Sequence, residues 1–197
     1  MRTFDEAGIR ADRAQVAALI GADGKKLARE IAEQAGRRIS TDAAESIDRR
    51  SGELYDELNT DPRPTNGARA LLLALERSSL AWAIATSSRA EQVGASVKAL
   101  DLLEPPLIVD GSHVEHAKPA PDLLLLAARM LGEPAAECWY VGDSTWDMRA
   151  AQAAGMLGLA VAYGAADASA LTEAGAEVVT TLAELESDLS ERGLLSS

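Results

Sequence analysis

A single cysteine, Cys138, in 197 residues leaves the chain without an internal disulfide framework and fits a reducing compartment. With two histidines beside it, His113 and His116, a structural zinc site is not available. Long hydrophobic runs are also missing. The most apolar helix-like stretch, LLLLAARML from Leu123 to Leu131, is too short to cross a bilayer and is flanked by Asp122 and Glu133. The opening MRTFDEAGIR lacks a basic region followed by an apolar core, so no export signal is read. The expectation is a cytoplasmic protein without a membrane association. Basic residues are scarce relative to acidic ones, 19 against 31, for a net charge of −12. Such a surface does not suit a nucleic-acid backbone, which is held by clusters of Lys and Arg. Any phosphorylated small molecule must therefore be held locally, by a metal, a placed lysine or backbone N–H groups. What the chain does have is length and 47% apolar residues, enough for one full-sized domain, or a core with a small helical lid.

The first sixty residues read as helical. Val16, Leu19, Ile20, Leu27 and Ile31 follow helical spacing, interrupted at the GADG of Gly21–Gly24. A further helix is expected from STDAAE onward, with Asp42 and Glu45 resembling a capping box. NTDPRPTNG, Asn59 to Gly67, concentrates turn residues and reads as a linker. Beyond it short apolar runs alternate with helical segments: WAIAT (82–86), LIVD (107–110), CWYVGD (138–143), GLAVAYG (158–164) and AEVVTT (176–181). That alternation predicts βα units and a mainly parallel sheet, with ligand groups along the C-terminal ends of the strands. Trp82, Trp139 and Cys138 read as strand-core residues, and the final ERGLLSS as a frayed tail. No oligomeric state is legible.

Three clusters fall at or just beyond predicted strand ends. In IATSSR, the hydroxyls of Thr86, Ser87 and Ser88 and the adjacent N–H groups can hold phosphate oxygens, or simply cap the next helix. In AKPAPD, Pro119 restricts the backbone of Lys118 and so directs its ammonium; a solvated surface lysine is the plainer reading. In YVGDSTWDMRAAQAAGM, Asp143 and Asp147 are about one helical turn apart. They suit Mg²⁺ as paired hard oxygen donors, or a helix start as ordinary capping and first-turn acids. Gly142 before Asp143 suggests close backbone approach.

Taken in order, the three clusters resemble motifs II, III and IV of the haloacid dehalogenase (HAD) superfamily of phosphohydrolases. The likeness is strongest to phosphoglycolate phosphatase-like and phosphomutase-like members with a helical cap. The resemblance implies an α/β fold: a Rossmannoid parallel-sheet core at 63–197 and a small α-helical cap at 1–62. It implies that Thr86 and Ser87 bind the phosphoryl group of a small phosphorylated metabolite, that Lys118 stabilises it, and that Asp143 and Asp147 organise Mg²⁺.

The family's first motif, a strand ending in Asp-x-Asp-Gly-Thr, has no counterpart. Its nearest imitation, ALIGADGKKL, has Gly21 where the nucleophilic Asp belongs. By resemblance this strand lies centrally, between those ending at Thr86 and Asp143. Its loss is expected to leave two unpaired edges and a chain inactive by itself, represented here without an N-terminal segment. The alternatives are a non-catalytic phosphate-binding protein and a sugar phosphomutase of the same family. A cationic cap face at Arg13, Lys25, Lys26 and Arg29 reads as solvated surface.

Overall fold

A computed structural model describes residues 1–195 other than Arg89 and Ala165, and without the side chains of Ala90 and Glu91. Arg89 of the IATSSR turn and the last two residues of the expected tail thus lie outside the described residues. The chain divides after Asp61, inside the turn-rich segment, into the units Met1–Asp61 and Pro62–Ser197.

The first unit holds helices α1 (Arg2–Glu6), α2 (Arg13–Ala18), α3 (Gly24–Gln34) and α4 (Thr41–Leu58). Asp12 and Asp23 accept backbone N–H groups at the starts of α2 and α3, which is why the helical pattern breaks and restarts around GADG. The cap of α4 differs from expectation. Ser40, not Asp42, stands at the N-cap and accepts the Ala43 N–H, which leaves Asp42 inside the first turn. The hydroxyl wins because Thr41 already has helical geometry. Helix α3 packs on α4, burying Ala28, Ile31 and Ala32 on one and Ala44, Ile47 and Leu54 on the other.

The second unit alternates α5 (Ala68–Arg77), β1 (Ile84–Ala85), α6 (Ala90–Ala99), β2 (Ile108–Val109), α7 (Asp122–Leu131), β3 (Trp139–Gly142), α8 (Thr145–Ala154), β4 (Leu157–Val161), α9 (Ala168–Glu173), β5 (Val178–Thr180) and α10 (Leu182–Glu191). Every strand pair is parallel. The one mainly parallel sheet expected from the alternation is instead two, β1–β2 and β3–β4–β5. Among the described residues no strand pairs with the outer edge of β1 or β3. Each thus has a partner on a single side, and the runs at 82–86 and 107–110 shorten to two residues apiece.

Apolar layers close over this frame. Leu123, Leu124, Ala127 and Ala128 of α7 pack with Ala150, Ala151 and Ala154 of α8, Val109 of β2 and the flanks of Ala85 and Tyr140. Burying side chains such as Leu123 and Leu124 stabilises by about 1.5–3 kcal/mol each. On the other side, Leu71 of α5 and Leu185 and Leu189 of α10 cover Leu159 of β4. Leu194 and Leu195 join them, so the expected frayed tail is packed through Leu195. Trp139 also departs from expectation. It shares a face with Leu157 and Val141 with Leu159 by register, yet Trp139 is 44% and Val141 37% exposed. The cover that α5 and α10 give β4 stops short of β3. Cys138 lies just ahead of β3, half-buried, with its thiol on the Pro134 carbonyl.

Candidate active site

The three clusters singled out in the sequence lie at or beyond the ends of β1, β2 and β3. After β1, Thr86 donates its N–H to Val109 of β2, and its hydroxyl accepts the Ser88 N–H at 3.2 Å. The Ser87 hydroxyl is buried and has no hydrogen-bond partner among the described residues. Such a group is costly unless something satisfies it. After β2, the turn at Gly111 presses against the Ser87 carbonyl so closely that a Cβ there would collide with it. Asp110, buried at 3% exposure, holds this turn by accepting the N–H and hydroxyl of Ser112 at 2.7 and 2.6 Å. Its backbone N–H donates to His113 Nδ1. In the sequence Asp110 is marked only as an Asp closing a strand, as Asp143 is.

Lys118 is the centre of the cluster. It is 6% exposed, precedes a cis peptide to Pro119, and donates to Asp147 Oδ1 at 2.6 Å and to the Tyr140 hydroxyl at 3.1 Å. The plainer reading of Lys118 as a solvated surface residue therefore fails. Burial pulls this amine toward neutrality, but Tyr140 and the Asp147 carboxylate outweigh it and hold the ammonium above the usual lysine range. Burial likewise pushes the Tyr140 phenol up.

Asp143 and Asp147 form an unequal pair. Asp147, 4% exposed in the first turn of α8, uses both oxygens. Oδ1 accepts from Lys118 and from Tyr140 at 3.0 Å; Oδ2 accepts from the Asp143 N–H, the Ser144 N–H and, at 2.7 Å, the Ser144 hydroxyl. Burial opposes its ionisation, yet the Lys118 charge and these hydrogen bonds win and hold the carboxyl below the ordinary aspartate value. Gly142 makes this possible: a Cβ there would lie 2.5 Å from Asp147 Cβ. Asp143 stands on the exposed rim, and partial burial and the Asp147 charge raise its carboxyl above the ordinary value.

The structure thus brings Lys118, Asp147 and Asp143 together, with Thr86 one residue beyond the Ala85 carbonyl that faces Tyr140 at 3.4 Å. No hydrogen bond joins Thr86 or Ser87 to Lys118 among the described residues. Tyr140 and Ser144, the groups that complete the cluster, were not singled out in the sequence. Trp146 is buried with Arg149 over its ring, and His116 pairs with Asp122 at the surface. Among the described residues no group of three or more His, Cys, Asp or Glu is arranged to hold a metal ion, and no helix is long and apolar enough to cross a membrane.

The chain is similar to several known proteins. The crystal structure of a hydrolase from Pseudomonas syringae superimposes with a TM-score of 0.90 at 31% identity, over 96% of this chain and 87% of the other. Hexitol phosphatase A of Escherichia coli is 37% identical over 95 residues, 48% of this chain and 44% of that protein. A phosphoglycolate phosphatase of Salmonella paratyphi A is 35% identical over 103 residues, 51% of this chain and 41% of that protein. The matched regions span less than half the length of these curated relatives. Residues 1–161 match the family described as haloacid dehalogenase-like hydrolase. With the HAD-like α/β fold, its parallel sheets and phosphoglycolate phosphatase-like relatives all in agreement, the chain belongs to the haloacid dehalogenase-like hydrolase family.

Proposed function

We propose that the protein to which this chain belongs is a phosphatase of small phosphorylated metabolites, and that residues 63–197 form its phosphate-handling core. The observation that carries the reading is the buried Lys118–Asp147 pair beside the Asp143 rim. Burying an ammonium and a carboxylate costs several kcal/mol before their attraction is counted. A fixed positive group held by β3 and α8, and a buried hydroxyl without a partner among the described residues after β1, suit the oxygens of a phosphoryl group. In this reading Thr86 and Ser87 donate to the phosphoryl oxygens and Lys118 offsets their charge.

A Mg²⁺ ion fits the donor chemistry only in part. Asp147 has both oxygens committed to hydrogen bonds, whereas Asp143 faces solvent with its charge raised in cost by its neighbour. Asp143 is then the residue that would hold the ion, with water completing the shell as Mg²⁺ prefers, and Asp147 acts through Lys118 and Ser144. When bound, the ion supplies charge neutralisation on the transferring phosphoryl group. In this reading residues 1–62 correspond to the family's small helical cap.

The group that attacks phosphorus is not among these residues. The two open strand edges support the reading that a further strand, ending in an acidic nucleophile, belongs between β1 and β3. Without it the 197-residue chain is expected to release no phosphate from any monoester. The test is phosphate release by this chain against a version extended at its N-terminus through such a strand. Mg²⁺-dependent release by the extended version alone, abolished by Asp143→Asn, supports the proposal. Turnover by the shorter chain sinks the part assigned to the missing strand. A second reading, a binding protein without catalysis, draws on the buried Ser87 hydroxyl that has no partner among the described residues. It predicts saturable phosphate binding and no release by either version.

A further inference from the structure

Tyr140 lies on β3, yet its hydroxyl touches three other segments. It accepts from Lys118 Nζ at 3.1 Å, faces Asp147 Oδ1 at 3.0 Å, and faces the Ala85 carbonyl of β1 at 3.4 Å. A phenol has one proton, which serves the nearer acceptor, the carboxylate; the Ala85 carbonyl is a second, longer contact. We propose that Tyr140 is a positioning residue. Its hydroxyl fixes where the Lys118 ammonium and the Asp147 carboxylate stand. This rests on the phosphate-site reading for its purpose, though not for its geometry.

The physical need is clear from Lys118. Its four-carbon stem is flexible and its ammonium is close to a point charge with three rotatable donors. A single carboxylate partner leaves such a group free to swing about the ion pair. A second acceptor set by the backbone of β3 removes that freedom. A phenyl ring at position 140 keeps the packing against Ala85 and the α7–α8 layer while deleting only these bonds.

The experiment uses the full chain and compares Tyr140→Phe, 3-fluorotyrosine at position 140, and Leu159→Val, a packing change on the other side of the sheet. The first readout is the NMR signal of the Lys118 side-chain ammonium, assigned by its absence in Lys118→Met. Buried and doubly bonded, it should exchange slowly enough to be seen, unlike that of the exposed Lys98. Loss of the signal in Tyr140→Phe, with retention in the fluorotyrosine and Leu159→Val proteins, is the expected result. An unchanged signal in Tyr140→Phe, or equal loss in Leu159→Val, overturns the proposal. The second readout is inorganic phosphate affinity, expected to fall about tenfold in Tyr140→Phe, the worth of one hydrogen bond to a charged group. If the parent chain binds no inorganic phosphate, the phosphate reading fails, and the ammonium signal alone still decides whether Tyr140 positions Lys118.

Discussion

The two sheets of the second unit are made of the same kind of sequence and have ended differently. Strand β4 has a partner on each side and helices over both faces, and four of its five residues are buried. Strand β3, its neighbour, has the same apolar character and alternates exposed and half-buried positions. Strands β1 and β2 form a ladder only two residues long. The difference teaches that a strand's burial and length are set by what flanks it, since each backbone N–H and C=O needs a partner and each face needs a cover. Hydrophobicity alone supplies neither.

Unequal neighbours lead to unequal consequences. The largest effect is expected from Asp147→Ala, which strands a buried ammonium; breaking such a pair costs about 3–5 kcal/mol, to be read as a fall in the urea midpoint. Next comes Leu159→Ala in β4, expected to cost about 2–4 kcal/mol as a core truncation. Val141→Ala in β3, on the same face, should cost well under half of that. Equal losses at the two positions would break the comparison, because they would mean that β3 is as well covered as β4.

The acid and base limbs of stability sharpen it further. Asp147 titrates in the folded protein below the ordinary value of 3.8, so its contribution is complete above that value and is lost as pH falls below it. Lys118 titrates above the ordinary value of 10.5; its contribution is present below that value and is lost as pH rises through the higher folded one. Urea midpoints measured across both limbs should show these two losses in the parent chain and neither in Asp147→Asn. The smallest effect, and of opposite sign, belongs to Asp143→Asn. Its carboxyl is raised, so ionisation disfavours the folded state, and the neutral amide should lift the midpoint slightly at pH 7. A fall instead would show that Asp143 has a stabilising partner in the folded state.

Much of the fold was legible because it rests on local signals. The βα alternation after Gly67, the break at GADG and the all-helical first sixty residues follow from periodicity and turn residues, and the elements stand where those signals place them. The cap of α4 was misread by two residues because Ser40 and Asp42 are both good caps, and only backbone geometry chooses between them. Trp139 was misread because apolar character says that a residue prefers burial, not that a cover exists. At the site, Lys118, Asp143 and Asp147 could be named from spacing and resemblance. Tyr140 and Asp110 could not, since a tyrosine in a strand and an aspartate at its end are ordinary until their partners are known.

The sequence by itself determined the family, the order of the elements and the residue types at the strand ends, because these depend on short-range pattern. Only the tertiary structure decided that the sheet is split, that Lys118 is buried, and that Asp147 is saturated while Asp143 faces solvent. Those are facts about pairing between distant segments. A hydrogen bond or an ion pair exists only when both partners reach the same few ångströms, and no stretch of chain specifies that alone.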